Sequence, residues 1–381
     1  MLISIRKFIT VFVLLFVFSF NAMALNEASV SASSAVLIDG DTLEVLFSKN
    51  ADKVRSMAST TKIMTALLAV ESGKLNEIIT VKEKIYIEGT AIGFSKGDKI
   101  SLEDVCYGML LESGNDAAVL AAEYLAGSEK KFSALMNKKA KEIGMTSTNF
   151  VTASGLDDEE HYTTAYDMAL LGAYAVKNEK FREICSSKTH TADFIEPDIT
   201  RNFSNHNKLL RYCEGVYGIK TGFTKKSGRC LVSACERNGK TLVAVTLNAP
   251  DDWNDHERLY EYGYSLYQEN ILTAEIPDEV IVAGSDKRKI KISCYGDESV
   301  FTRKNKQLEY SIYINRILYA PINKNDVIGK LVVLNGDYIV AEMPIIALEK
   351  AGTIKSSVEY KEGLFERLSA FFRGLFVCRK G

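Results

Sequence analysis

No Cys-x-x-Cys pair and no pair of histidines at helical spacing occurs in this chain of 381 residues. The seven cysteines, Cys106, Cys185, Cys213, Cys230, Cys235, Cys294 and Cys378, are odd in number and scattered. Neither a disulfide framework nor a zinc site is therefore expected, and at least one thiol must be free or paired between chains. His161, His190, His206 and His256 form no ligand set and read as surface or satisfied polar residues, so no metal and no cofactor is implied. An excess of charge of one sign is missing too. Lys and Arg number 47 against 49 Asp and Glu, for a formal net charge of −2, so nothing points to a nucleic-acid partner. Long hydrophobic runs are also lacking. The run from Phe8 to Phe20 is about thirteen residues, too short to span a bilayer comfortably. It follows Arg6 and Lys7 and precedes Ala22-Met23-Ala24, the pattern of a cleaved secretory signal over residues 1–24, with a permanent anchor as the alternative. Cleavage after Ala24 removes two positive charges and no negative ones, moving the formal charge from −2 to −4.

What remains, roughly 357 residues, exceeds a usual single domain. Ala35 to Ile38 and Leu43 to Phe47 flank the turn-forming Asp39-Gly40-Asp41-Thr42 and read as a hairpin. From Ala51 to about Asn207 the pattern is mostly helical, with clear segments at Glu103 to Leu111, Asp116 to Ala126 and Lys130 to Ile143. After Gly215 come three strand-like runs, Val216 to Phe223, Arg229 to Cys235 and Lys240 to Asn248, the last two joined by Asn238-Gly239, a strong hairpin signal. The expected fold is α+β. Two strands from the start and three from the end form one antiparallel five-stranded sheet flanked by helices, over residues 25–270. Short β-rich runs such as Glu279 to Val282, Lys289 to Cys294, Leu308 to Ile314 and Lys330 to Val333 then suggest a small all-β domain over 271–350. In the tail, 351–381, Leu364, Phe365, Leu368, Phe371, Phe372, Leu375 and Phe376 recur at helical spacing beside Arg367, Arg373, Arg379 and Lys380. This is the pattern of an amphipathic helix on a membrane surface; docking on the protein itself or on a partner is the alternative.

The chemistry centres on Ser59-Thr60-Thr61-Lys62, followed by the apolar run Ile63 to Val70. A buried helix with Ser59 in its first turn is expected, and a spacing of three lets the Lys62 amine reach the Ser59 hydroxyl. A serine hydroxyl needs a base to become a nucleophile, and a lysine that is partly buried near other cations loses its proton more easily. By itself Ser-x-x-Lys also describes an N-cap serine and a solvated lysine. It gains meaning from Ser113-Gly114-Asn115 and Lys220-Thr221-Gly222, which follow in order. If the sheet closes as expected, the three fragments meet. Ser59 would attack a carbonyl, with Lys62 accepting its proton. Ser113 and Lys220 would pass that proton to the leaving amine, and Asn115 would orient Lys62. Lys220 and the Thr221 hydroxyl would meet a substrate carboxylate. Gly222 would let a peptide lie along the strand edge, and the backbone N–H groups of Ser59 and Phe223 would form the oxyanion hole.

The ordered trio resembles that of penicillin-binding proteins and class A β-lactamases. Further matching text includes Gly155-Leu156, Tyr166-Asp167-Met168-Ala169, Asn205-His206-Asn207-Lys208-Leu209-Leu210 and Gly218-Ile219 before Lys220. Nearly the whole chain is similar to the D-alanyl-D-alanine carboxypeptidases of serine peptidase family S11, low-molecular-mass penicillin-binding proteins. The resemblance implies removal of the terminal D-alanine from peptidoglycan stem peptides ending in D-Ala-D-Ala, and covalent trapping by β-lactams at Ser59. It also implies a location at the outer face of the cytoplasmic membrane, held by the C-terminal helix. Two features depart from relatives: Phe223 stands where many have histidine, and where some carry an arginine that helps hold the substrate carboxylate the text reads Asp251 to Arg258, with Arg258 as a candidate counterpart. Two rival readings exist. A class A-like β-lactamase needs a carboxylate to activate water, for which Glu159 and Glu160 lie late and without the surrounding pattern. A non-catalytic peptidoglycan- or β-lactam-binding module would have no use for a proton relay.

Overall fold

The computed structural model describes residues 25–354; the expected leader and all but the first four residues of the expected tail lie outside it. The chain divides into a first unit ending at Gln268 and a second beginning at Glu269.

In the first unit the hairpin β1 (Ser34–Asp39) and β2 (Val45–Lys49) is followed by a 3-10 turn at Ala58–Thr61 and by α1 (Lys62–Glu71). Then come β3 (Ile78–Thr80), β4 (Lys99–Ser101), α2 (Leu102–Leu111), α3 (Asn115–Ala126), α4 (Glu129–Ile143), α5 (Ala165–Ala175) and α6 (Glu179–Ser186). The unit closes with β5 (Thr189–Glu196), β6 (Ile199–Ser204), α7 (Leu209–Tyr212), β7 (Val216–Thr224), β8 (Gly228–Arg237), β9 (Lys240–Leu247) and α8 (Asp252–Ser265). The main sheet has the order β2-β1-β9-β8-β7, antiparallel throughout, with Ala35 opposite Thr246 and Lys220 opposite Val232. All six residues of β1 are buried, because helices cover both faces. Alternation along the strands sorts the side chains. Leu37 and Leu242 point toward α8, where a Cβ on Gly263 would collide with both. Val36, Ile38, Val243 and Val245 join the larger core with α1 and α5.

Helix starts follow local chemistry. Ser101, Ser128 and Thr164 each accept a backbone N–H of the first turn, and Asn178 accepts two. Gly127 and Gly144 end α3 and α4 at φ +78 and +94.

Two expectations are corrected. Ser59 is not in the first turn of an α-helix but in the 3-10 turn before it, since the chain enters through Ala58 at φ +48, a left-handed conformation no α-helix continues. The stretch from Ala51 to Asn207 also contains a second sheet, β3-β4-β5-β6. Its strands β3 and β4 are three residues each, and β5 and β6 together bury only Ala192, Phe194 and Phe203, so the period-two signal is faint.

The second unit is all β. The strand β10 (Tyr267–Ile271), which runs through the boundary, pairs with β13 (Ser299–Arg303). The strands β11 (Glu279–Ala283), β12 (Lys289–Cys294), β14 (Leu308–Ile314), β15 (Ile317–Tyr319), β16 (Val327–Asn335) and β17 (Tyr338–Ala347) form a sheet of order β14-β16-β17-β12-β11-β15. Val280, Ile290 and Ile345 centre one small core, and Leu331, Val333 and Met343 another.

Candidate active site

The 3-10 turn delivers Ser59, half-buried, directly ahead of α1, whose first residue is Lys62. The separation of three residues brings the Lys62 Nζ to 2.9 Å from Ser59 Oγ. The same amine donates to Asn115 Oδ1 at 2.7 Å and to the Ser154 carbonyl at 2.6 Å. Both of these partners can only accept. A neutral amine has two N–H bonds and one lone pair, so satisfying the two carbonyls leaves the lone pair for the Ser59 hydroxyl. The electrostatics favour that form. Complete burial of Lys62, and then the positive charge of Lys220, push its pKa well below the usual lysine range, with Asp116 pulling weakly the other way.

Ser113 lies in the short link between α2 and α3, where it takes φ +66. Asn115 is the first residue of α3, and its amide bridges two segments: Oδ1 accepts from Lys62, while Nδ2 donates to the Glu88 carbonyl at 2.6 Å. Next to it the Asp116 carboxylate accepts the backbone N–H groups of Ile92 at 2.8 Å and Gly93 at 2.7 Å, tying down the loop before β4.

The third fragment lies on β7, the edge of the main sheet, which packs against the Ala58–Thr61 turn. A Cβ on Gly222 would sit 3.0 Å from the Ser59 and Thr60 nitrogens, so glycine here keeps those N–H groups clear. Lys220 is fully buried and donates to the Thr221 carbonyl at 2.8 Å. Burial also pushes its own pKa down, to about 7. Ser59, Ser113, Thr221, Gly222 and Phe223 line one cavity of about 350 Å³, with Phe223 65% exposed at its wall. The structure thus joins Ser59, Lys62 and Asn115 in one hydrogen-bond network, sets Ser113, Thr221, Gly222 and Phe223 around Ser59, and buries Lys220 close enough to act on Lys62.

Sequence reasoning missed two parts of the site. The Ser154 carbonyl on Lys62 is backbone, which no side-chain motif shows. Arg229, paired across the strands with Phe223, lines the cavity; its guanidinium bonds the buried Asp252 at 2.6 and 3.0 Å and lies 5.3 Å from the Trp253 ring. Arg258, the expected candidate, is absent from the cavity wall and is spent on the Ser29 carbonyl, Asp251 and Asp255. Glu159 and Glu160 are exposed on the turn before His161 and do not line the cavity.

Comparison with known proteins agrees along both units. The D-alanyl-D-alanine carboxypeptidase (peptidase S11) family pattern matches residues 21–251, and the penicillin-binding protein 5 C-terminal domain matches residues 267–353. The Bacillus subtilis D-alanyl-D-alanine carboxypeptidase DacF is 31% identical over 348 residues, covering 86% of this chain and 89% of that protein. Penicillin-binding protein 5 of Haemophilus influenzae superposes with a TM-score of 0.61 at 26% identity, over 86% of this chain and 100% of that one. Penicillin-binding protein D2 of Listeria monocytogenes, solved in its ampicillin-bound form, gives 0.57 at 31% identity over 63% of this chain and 100% of that one. With matches that run through both units, the chain belongs to the peptidase S11 family of D-alanyl-D-alanine carboxypeptidases.

Proposed function

We propose that this D-alanyl-D-alanine carboxypeptidase removes the terminal D-alanine of peptidoglycan stem peptides through an acyl-enzyme on Ser59. The reading is carried by one observation: a fully buried lysine amine 2.9 Å from a serine hydroxyl, its other two hydrogen bonds satisfied by carbonyls. Neutral Lys62 takes the Ser59 proton as Oγ adds to the carbonyl of the penultimate D-alanine. The oxyanion is met by the Ser59 and Phe223 backbone N–H groups; one lost donor of this kind costs roughly 10²–10³ in rate. Collapse expels the terminal D-alanine, whose nitrogen receives the proton through Ser113 and Lys220. Water then hydrolyses the ester. The Thr221 hydroxyl and Lys220 receive the substrate carboxylate, and Arg229 adds positive charge in the same cavity. With Lys220 near half-protonation at neutral pH, an arriving carboxylate draws a proton onto it. A β-lactam acylates Ser59 by ring opening but keeps its amine tethered, so the adduct persists.

The leader at 1–24 and the amphipathic tail fit a protein exported and held at the outer face of the membrane, with the β unit as a spacer. Among the described residues no helix is long and apolar enough to cross a membrane. The test is D-alanine release from a pentapeptide ending in D-Ala-D-Ala, alongside labelling by a fluorescent penicillin. Wild type should do both; Ser59→Ala and Lys62→Ala should do neither. Release by Ser59→Ala at the wild-type rate would refute the acyl-enzyme.

A further inference from the structure

The residue before the nucleophile is held in an unfavourable conformation, and the group that holds it lies outside the cavity. Ala58 is buried at φ +48 without being glycine, a conformation that an L-residue keeps only if its neighbours impose it. Two contacts do so. The Thr61 hydroxyl donates to the Ala58 carbonyl at 2.8 Å. Gly155 lies against the same carbonyl so closely that a Cβ there would be 2.0 Å from the Ala58 oxygen.

Thr61 Oγ1, having given its proton to Ala58, is 2.8 Å from His161 Nε2. The ring's other nitrogen, Nδ1, faces the Val151 N–H at 3.0 Å and the Thr152 N–H at 3.3 Å, so Nδ1 is the acceptor and the proton sits on Nε2, aimed at Thr61. The imidazole is 2% exposed and neutral, burial holding its pKa at about 4 despite Asp157 and Asp158 nearby. His161 therefore joins the Ser59 turn to the strip 151–155. That strip also supplies the Ser154 carbonyl to Lys62 and the Ala153 carbonyl to Thr65 of α1.

We propose that His161 is a positioning residue for this reaction: through Thr61 it fixes the turn that presents Ser59 and the strip that orients Lys62, without touching substrate. The inference rests on the acyl-enzyme reading above. Loss of the link lets the Ser59 turn relax, so the acylation step slows while binding is kept.

The test uses the full chain and compares His161→Asn, His161→Gln, Thr61→Val, Thr61→Ser and the double variant His161→Asn/Thr61→Val. Glutamine reaches Thr61 with an amide N–H where Nε2 stood; asparagine reproduces only the acceptor at Nδ1. The readouts are the acylation rate with fluorescent penicillin, kcat and KM for D-alanine release, and the melting temperature. Losing one neutral hydrogen bond from the transition-state geometry is worth roughly a tenfold rate change. His161→Asn and Thr61→Val should each lose about that in acylation and kcat at unchanged KM, the double variant no more than either alone. His161→Gln and Thr61→Ser should stay close to wild type. Should His161→Asn fail to fold, the Thr61 pair alone decides: valine slow and serine normal supports the link. Wild-type acylation per folded molecule in Thr61→Val, or losses that multiply in the double variant, would overturn the inference. An unlabelled wild type would instead sink the acyl-enzyme reading itself.

Discussion

Replacing Lys220 by methionine should change how stability depends on pH. Lys220 is completely buried and held at about 7 in the folded protein, against an ordinary lysine value of 10.5. Between those two values the unfolded chain carries a proton that the folded one lacks, so stability rises with pH across that window. The slope is ~1.4 kcal/mol per pH unit, and from about pH 7.5 to about pH 9.5 it integrates to about 2.5 kcal/mol. Lys62 is shifted in the same direction, first by its own burial and then by the Lys220 charge; above about pH 7.5 Lys220 is largely uncharged, so the Lys62 contribution is much the same in both proteins. The assay is urea unfolding followed by tryptophan fluorescence. The chain has one tryptophan, Trp253, at the start of α8, so the signal reports the first unit alone. Wild type should gain about 2.5 kcal/mol relative to Lys220→Met over that range. Curves that stay parallel to within about 0.5 kcal/mol would mean that Lys220 keeps its proton when folded, and the argument from burial would be wrong.

Gly155→Ala combines a left-handed φ of +85 with a Cβ placed 2.0 Å from the Ala58 carbonyl oxygen. It should cost roughly 2–4 kcal/mol and slow Ser59 acylation, as read by melting temperature and penicillin labelling; a stable, normally labelled variant would refute the clash. Arg229→Ala should raise KM several-fold for a peptide with a free terminal carboxylate and leave KM for the C-terminal amide unchanged; equal effects on the two would remove Arg229 from carboxylate binding. Deletion of residues 358–381 should move the protein from the membrane to the soluble fraction, and unchanged partitioning would refute the anchor.

How far the sequence could be read depended on whether a side chain or the backbone carries the signal. Asn238-Gly239 could be read because both residues take positive φ, +51 and +71, as a tight hairpin requires, and Arg237 pairs with Lys240 across it. The five-stranded sheet followed from such local turns together with continuous apolar runs. The second sheet did not, since β3 and β4 are too short for any period to register. At the site, Ser59 and Lys62 could be paired because a spacing of three sets two side chains on one face in a 3-10 turn as well as in the α-helix expected from the sequence. His161 could not be linked to Thr61, a hundred residues away, because a ring with backbone partners leaves no pattern in the text. Arg258 misled because a helix position says little about which neighbours claim the guanidinium; on α8 it turns to Asp251 and Ser29.

The pairing of β1 with β9 has a consequence for biogenesis. Ala35 finds its partner in Thr246, roughly 210 positions later, so a ribosome must release most of the first unit before β1 can gain its neighbour on that side. Until then the serine turn has neither β7 nor β8 beneath it. A nascent polypeptide built this way cannot finish its central sheet, or seat its nucleophile, until synthesis of the first unit is nearly complete.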